Sequence, residues 1–268
     1  MKSRNISMLL CAFLIIGSFG FIQTSSAKPR TYVVALVGES GGFVAPSFNF
    51  TRMPDFVIYS DGRMISYSNV TTQQYPWPAL PVLKTKFVNG DLKRIITALE
   101  STKLTDPKFD WGFPGVADVP NTEVLTQLSA QKRSSRVSIY ALDFTGHGVS
   151  KTQAKYRKQA AKLLSQLQSF SNKYIWTKSL PITWAPTKYA YQVSPGDPSE
   201  LSTTQDWVGT EELTETSCSV LSQNDSAKIT QMAADINSET IWNSGGKTWR
   251  VNFRPLLPHE SSCKSLGY

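Results

Sequence analysis

The fold is decided by one stretch of the chain, Pro54-Asp-Phe-Val-Ile-Tyr-Ser-Asp-Gly-Arg-Met-Ile-Ser-Tyr-Ser68. Two runs of strand-forming residues flank Asp61-Gly62, a dipeptide that accepts the positive φ angles of a type I′ turn. A two-residue loop would pair Ser60 with Arg63, Tyr59 with Met64, Ile58 with Ile65 and Phe56 with Tyr67. The stretch therefore predicts a β-hairpin in that register.

Both faces of this hairpin are apolar. In the predicted register one face carries Phe56, Ile58, Ile65 and Tyr67, which we expect to form the core side. The other face carries Val57, Tyr59 and Met64. A strand pair that is apolar on both sides is typical of the interior of a sheet, not of its edge.

Outside the hairpin, the chain mixes strand and helix patterns. Further strands are expected at Thr31–Val37, Val82–Val88, Glu123–Leu128, Val137–Leu142, Tyr189–Val193 and Lys247–Phe253. Apolar residues at helical spacing form three stripes: Leu92, Ile95, Ile96 and Leu99 after an Asn89 cap; Ala160, Leu163, Leu164, Leu167 and Phe170 after a capping box of Ser150 and Gln153; and Ile229, Met232, Ala233 and Ile236. These patterns predict an α+β fold with mixed or antiparallel sheets flanked by about three helices.

The N-terminus has the pattern of a secretory signal peptide. Lys2 and Arg4 precede an apolar run over Met8–Ile22, and small residues lead up to Ala27. We expect cleavage between Ala27 and Lys28, and release of a secreted or cell-envelope protein. The alternative is a retained anchor, which would be the only contact with a membrane, but the run is short for a span of about 20 residues.

Two cysteines survive this cleavage, Cys218 and Cys263. An even pair in an oxidising compartment predicts a disulfide, here in the C-terminal part of the chain. Two cysteines and two widely separated histidines make a poor zinc site. The sequence therefore predicts neither a metal nor a cofactor.

The chain has 268 residues, enough for one large or two modest domains. A change of composition and a series of prolines follow residue 171. We therefore divide the chain into a signal peptide at 1–27, an N-terminal α+β domain at 28–172 and a C-terminal α+β subdomain at 173–268.

A serine motif raises the question of catalysis. Gly38, Ser40 and Gly42 match G-x-S-x-G, the nucleophile elbow of α/β-hydrolases, which places a helix directly after the serine. Pro46 argues against a helix there. A secreted serine hydrolase using Ser40 with His147 or His259 is the alternative to a structural serine in a glycine-rich loop.

His147 could also form an acid–base pair with Asp143. A glycine-flanked histidine in a connection is more often solvated, and the sequence offers no nucleophile paired with it. We therefore predict no catalytic residue, and the residues favour a non-enzymatic protein over an enzyme.

Positive charge is the remaining functional signal. Signal cleavage would remove Lys2 and Arg4, lowering the formal net charge from +8 to +6. The start of the second helix is basic through Lys151, Lys155, Arg157, Lys158 and Lys162. These cations could bind an anionic envelope polymer, or they could form an ordinary solvated helix face. Nucleic acid is disfavoured, because Tyr156 is the only aromatic residue among them.

A proline-rich segment, Tyr75-Pro-Trp-Pro-Ala-Leu-Pro81, carries two aromatic residues. Alternating prolines favour an extended loop. Tyr75 and Trp77 could stack on a sugar or a partner, or they could fix the loop to the core.

The chain carries three short motifs: Gly41–Pro46, Met53–Gly62, and Arg254–Glu260 with Cys263. Together they resemble a family of secreted actinobacterial proteins to which no function is assigned. The resemblance spans most of the mature chain, implies an exported globular protein, and carries over no catalytic residue. The function expected from the sequence is a secreted, non-enzymatic protein that binds a partner or a wall polymer.

Overall fold

Two β-sheets organise the chain, of which this computed structural model describes residues 31–67, 75–88, 90–172 and 182–268. The first sheet has seven strands in the order β6-β5-β1-β2-β3-β4-β7, and all neighbouring strands are antiparallel. Its strands are β1 (Val33–Ser40), β2 (Phe56–Tyr59), β3 (Arg63–Tyr67), β4 (Leu83–Phe87), β5 (Asn121–Thr126), β6 (Ser135–Tyr140) and β7 (Ile182–Trp184).

The second sheet has five strands in the order β10-β8-β12-β11-β9. They are β8 (Tyr189–Pro195), β9 (Thr204–Asp206), β10 (Thr216–Val220), β11 (Ile241–Ser244) and β12 (Lys247–Pro255). The β9–β11 pair is parallel and the other pairs are antiparallel. One antiparallel and one mixed sheet confirm the predicted α+β class.

The described residues form five α-helices, of which three match the predicted ones. The five are α1 (Pro46–Thr51), α2 (Leu92–Glu100), α3 (Lys151–Asn172), α4 (Gln223–Gln231) and α5 (Cys263–Leu266). The predicted cap Asn89 and the side chain of Phe170 lie outside the described residues, and Asp91 occupies the N-cap of α2.

Two predictions about helices were wrong. α1 begins at Pro46, because the first turn of a helix needs no N–H from that residue and the ring already has a helical φ. The helix expected to continue to Ile236 ends at Gln231, with Met232 as its C-cap. Ile236 is buried from the following turn, whereas Ala233 is exposed.

The hairpin forms where the sequence predicts it, but in a different register. Its pairs are Phe56 with Ser66, Val57 with Ile65, and Ile58 with Met64. The loop has three residues, because Gly62 adopts a φ of 81° and its N–H donates to the carbonyl of Tyr59 at 2.9 Å. A turn followed by a left-handed glycine is the usual three-residue connection.

This shift of one residue exchanges the faces of β3. Phe56, Ile58 and Met64 now share one apolar cluster, while Val57 and Ile65 belong to the cluster on the opposite face. The expected core face was therefore wrong for Ile65 and Tyr67. The expected interior position is confirmed, since β2 lies between β1 and β3 and is buried along its whole length.

The helices α2 and α3 cover one face of the first sheet. Ile95 and Leu99 of α2 are buried against it, as are the α3 residues Ala160, Leu164 and Leu167. These are the apolar stripes that the helical spacing predicts. The apolar side of α3 is therefore buried against the sheet, and its opposite side is exposed to solvent.

The second sheet has an aromatic interior. Its cluster contains Tyr189, Trp242, Trp249 and Phe253, which pack with Ile229 of α4. Trp242 and Phe253 meet edge to face with ring centroids 5.9 Å apart.

The end of β12 joins the two apolar regions. Leu256 packs with Phe50 of α1 and Ala190 of β8, and Leu257 packs with the cluster on the first sheet that contains Val57. The predicted domain junction near Lys173–Ile182 lies, except for Ile182, outside the described residues, and the division of the chain there stays a prediction. Thr31–Tyr268 cluster as a single unit, in which β7 pairs with β4.

Candidate functional site

The candidate site is the exposed side of α3, and its local structure begins at the helix N-terminus. The backbone N–H of Ser150 donates to Gln153 Oε1 at 2.8 Å, and the N–H of Gln153 donates to Ser150 Oγ at 3.2 Å. This reciprocal pair is the predicted capping box, and it satisfies two N–H groups at the start of the helix. The first turn of α3 is therefore held in place where the first lysine, Lys151, projects.

Four lysines of α3 share its solvent side: Lys151, Lys155, Lys158 and Lys162. Their spacing of four, three and four residues puts them on one helical face. All four are exposed. At 1.5 Å of rise per residue the row extends about 16 Å along the helix. We call these four residues the lysine row.

The lysine row has no neutralising partner on its own helix. α3 contains no aspartate and no glutamate over its 22 residues. In the described part of the chain, the salt bridges involve other residues, and none includes a lysine of this row. Like charges four residues apart destabilise a helix slightly. The lysine row therefore lowers the stability of the isolated helix.

Arg157, which the sequence grouped with these lysines, is instead fully buried. Its guanidinium donates to the carbonyls of Phe144 at 2.9 Å, Trp111 at 3.0 Å and Tyr140 at 2.7 Å, and also to Ala141. Burial lowers the pKa of Arg157 from its ordinary value. The predicted solvent exposure was therefore wrong for Arg157, whose role is to fix two loops against α3.

A signal for this burial was present in the sequence. Arg157 precedes Ala160 by three residues and Leu164 by seven, so it lies on the buried stripe and not on the lysine row. Composition alone did not predict this burial, since an arginine among lysines suggests a solvated cation.

The space between α2 and α3 is too small for a typical ligand. A cleft of about 130 Å³ is lined by Ile95, Ala98, Leu163 and Leu167 together with polar residues of both helices. Sites for small molecules are usually about 300–1,000 Å³, so this cleft is smaller than a typical one.

Ser40 lies at the end of β1, and its hydroxyl donates a hydrogen bond to a carboxylate. Ser40 Oγ donates to Glu123 Oε1 at 2.7 Å, and Ser138 Oγ donates to the same oxygen at 2.7 Å. These bonds connect β1, β5 and β6. Among the hydrogen bonds of the described residues, none joins Ser40 to His147 or His259.

The two histidines lie in different surroundings. His147 is exposed in the connection between β6 and α3, and no hydrogen bond of the described residues joins it to Asp143. His259 Nδ1 shares a hydrogen bond of 2.9 Å with the hydroxyl of Tyr59. Although part of His259 is exposed, desolvation by the surrounding protein lowers its pKa and raises that of Tyr59, so both groups are favoured in their neutral forms.

A buried ion pair stands beside this contact. Arg254 and Glu260 form two hydrogen bonds of 2.9 and 3.0 Å, and both side chains are almost completely buried. Glu260 also accepts the backbone N–H of Leu257 at 2.8 Å. The pair fixes the turn that carries His259, which supports a structural role for the Arg254–Glu260 motif.

The predicted disulfide is present. Cys218 and Cys263 are bonded, with Cα atoms 5.9 Å apart, and the bond ties α5 to β10. The predicted signal peptide and its cleavage site at Ala27 and Lys28 lie outside the described residues. Within residues 31–67, 75–88, 90–172 and 182–268, no helix has the length and apolar character for crossing a bilayer, and no cluster of histidine, cysteine and acidic side chains is arranged to hold a metal ion.

Comparison of the chain with protein-family models, with curated protein sequences and with solved structures finds no match. The resemblance to secreted actinobacterial proteins therefore stays a prediction from three short motifs.

Proposed function

We propose that this protein is secreted, acts without catalysing a reaction, and binds an anionic polymer of the cell envelope through the lysine row of α3. The observation that carries the proposal is the exposure of four same-sign charges on a helix that contains no acidic residue. A polymer with repeating phosphates or carboxylates supplies the missing negative charge along the same direction.

The physical argument concerns the local balance of charge. A helix face that only interacts with solvent gains stability when opposite charges alternate at i,i+4 spacing. Lys151 and Lys155, and likewise Lys158 and Lys162, place equal charges at that spacing. An anionic chain lying along α3 would remove this repulsion, and its attraction to the row would act over about a Debye length, roughly 8–10 Å at physiological salt.

The non-enzymatic part of the proposal rests on the contacts of Ser40 and the histidines. A nucleophilic serine needs a general base within hydrogen-bond reach. Ser40 donates to the carboxylate of Glu123, which also accepts from Ser138. These partners favour a cross-strand structural role for Ser40.

Binding to poly(glycerol phosphate), measured by calorimetry at several salt concentrations, tests the polymer proposal. In single-stranded nucleic acids each phosphate contact contributes roughly 0.7 to the slope of log K against log salt, and we take the same value for this flexible polyphosphate. Four contacts predict a slope of about −3 for the mature protein, and Lys155→Glu with Lys158→Glu should reduce its magnitude by at least about 1.4.

The matched control is Lys247→Glu with Lys264→Glu, which changes the net charge equally at two exposed lysines on other elements. The control should bind with nearly the wild-type slope. Salt-independent binding, no binding, or equal loss in both double variants would contradict the proposed surface.

Export has its own test. N-terminal sequencing of the protein recovered from the medium or the envelope should begin at Lys28. Exported material that begins at Met1 would contradict cleavage after Ala27.

A further inference from the structure

The loop that carries Tyr75 and Trp77 is held by backbone contacts to the segment before β11. The N–H of Ser238 donates to the carbonyl of Trp77 at 2.7 Å, and the N–H of Trp77 donates to Ser238 Oγ at 3.1 Å. Pro78 forms a β-bridge with Asn237. The main chain at Trp77 is therefore fixed by hydrogen bonds and a β-bridge.

The two rings remain largely in solvent. Tyr75 is 49% exposed and Trp77 is 58% exposed. Their centroids are 5.2 Å apart and their planes meet at 84°, so the two rings form an open corner. Trp77 is thus more than half exposed and is not part of the buried core, while main-chain hydrogen bonds hold its loop.

A polar network sets the position of the Tyr75 ring. The Tyr75 hydroxyl donates to Glu239, whose carboxylate also accepts from Arg250 at 3.2 Å and from Ser199 at 3.5 Å. Arg250 donates as well to the carbonyl of Ser238 at 3.0 Å. The Glu239 side chain is only 14% exposed. This network therefore holds the Tyr75 ring, and the backbone contacts hold the main chain at Trp77, before any ligand arrives.

We propose that this corner is a binding site for a single pyranose residue of a saccharide chain. The C–H face of the sugar would stack on the exposed indole of Trp77, and the ring of Tyr75 would bound the sugar at its edge. Hydroxyl groups at the rim of the sugar would meet Ser199, Ser202 and Arg250. The proposal goes beyond the lysine row and does not depend on it.

The chemistry of the corner favours a sugar over a purely apolar partner. The negative face of an aromatic ring attracts the weakly positive C–H groups that a pyranose presents. A chain of polar contacts leads from the Tyr75 hydroxyl to Glu239, from there to Arg250 and Ser199, and from Ser199 to Ser202. These groups match the alternating donors and acceptors of sugar hydroxyls. Rings held in place before binding lose little conformational freedom, which lowers the entropic cost of binding.

Titration of the mature protein with cellotetraose and with chitotetraose, followed by saturation-transfer NMR and calorimetry, tests this site. At least one of the two should bind, with pyranose C–H protons receiving the strongest transfer. Trp77→Ala should weaken that binding roughly tenfold or more, as expected for an anchoring tryptophan. Glu239→Gln should weaken it less, because it loosens the position of Tyr75 and leaves the indole intact.

Phe113→Ala is the matched control, because Phe113 is 60% exposed and stacks on Tyr140 in another part of the fold. It should bind saccharide like the wild type. The lysine-row variant Lys155→Glu with Lys158→Glu should also bind normally, which separates this site from the proposed polymer surface. No binding of either saccharide up to about 10 mM, or binding that Trp77→Ala leaves unchanged, would overturn the proposal.

Discussion

The two sheets bury their interiors in different ways. Under α2 and α3, the first sheet is filled mainly by aliphatic side chains, such as Val34, Ile58 and Ile139. The second sheet is covered by α4, a helix of nine residues, and is filled by large aromatic side chains, including Trp242 and Phe253. Only the second is closed by a disulfide among the described residues.

The two regions therefore bury the apolar area of their sheets by different means. Two amphipathic helices bury a sheet face with many medium-sized contacts. A sheet with little helical cover can bury a comparable area only if each side chain is large, and an aromatic side chain buries about 150–250 Å². The covalent tie in the second region then adds stability that a smaller core does not supply. Each region should therefore depend on a different kind of interaction.

The largest expected effect is at Arg157 in the first region. Arg157→Met keeps an apolar stem but removes the guanidinium that bonds the carbonyls of Trp111, Tyr140, Ala141 and Phe144; of these, the Ala141 carbonyl still accepts the N–H of Phe144 at 3.0 Å. Loss of a charged hydrogen-bond donor from a buried site predicts a decrease of about 3–5 kcal/mol in the free energy of unfolding. Urea denaturation measures it.

Lys158→Met, one residue further along α3 but exposed, is the control and should change stability by less than about 0.5 kcal/mol. The free energy of unfolding of Arg157→Lys should lie between those of the two variants, because one ammonium group cannot bond four carbonyls. If Arg157→Met and Lys158→Met had equal stabilities, the proposed fixing of the loops by Arg157 would be wrong.

The disulfide gives the next effect, and it should be confined to the second region. The bond closes 45 residues, for which the chain-entropy model gives at most about 4 kcal/mol. Replacing both Cys218 and Cys263 by serine should lower the melting temperature and increase proteolysis of the residues after Pro258 first. Hydrogen exchange should rise in β8 and β12 before it rises in β1 and β5. Equal acceleration in both sheets would contradict the regional difference, and two free thiols in the exported protein would show that the bond does not form.

The sequence predicted long, regular features well. Alternation located the two strands of the central hairpin, the Ser150–Gln153 box located the start of α3, and counting cysteines after signal removal identified the disulfide. It did not predict β7, β9, β10 or β11, which have only three to five residues each and so show no long alternation of apolar and polar side chains. Nor could Asp61-Gly62 distinguish a two-residue from a three-residue loop, since glycine suits the left-handed position of either.

The candidate site was predictable only in part. The spacing of the lysines showed that they share a helix face, but whether counter-charges approach from other elements depends on tertiary structure. In the same way, the sequence named Tyr75 and Trp77 without indicating that Ser238 and Glu239, more than 160 residues away, hold them. Such long-range contacts have no local pattern.

The pH dependence of stability tests a second feature of the first region, the half-buried carboxyl of Asp55 before β2. Desolvation, followed by the charge of Glu39, raises its pKa from 3.8 to about 6, against a smaller opposing effect of Arg52. Between these values the native state binds more protons than the unfolded state, so the free energy of unfolding should fall as pH rises from about 4 to 6. The total loss is at most about 3 kcal/mol, and partial exposure reduces it.

Asp55→Asn should remove this part of the pH dependence and make the protein more stable than the wild type at pH 7. Asp197→Asn, at an exposed loop position, should leave the profile unchanged. Chemical denaturation at pH 4, 5, 6 and 7 provides the comparison. A stability that rises for the wild type over this range, with no difference in Asp55→Asn, would show that Asp55 is not destabilised by its surroundings.

The smallest effect is expected at Ser40, and it separates a structural serine from a nucleophile. Ser40→Ala removes one hydrogen bond to Glu123 but leaves the bond from Ser138 in place, so the carboxylate keeps a partner. The expected loss of stability is about 0.5–1.5 kcal/mol. Ser138→Ala should cost a similar amount, because the Ser138 hydroxyl donates to the same oxygen.

A fluorophosphonate should leave the wild type unmodified, since an unactivated hydroxyl reacts poorly. Stoichiometric labelling that disappears in Ser40→Ala but persists in Ser138→Ala would establish a nucleophile at Ser40. The proposed non-enzymatic function would then be replaced by a hydrolytic one.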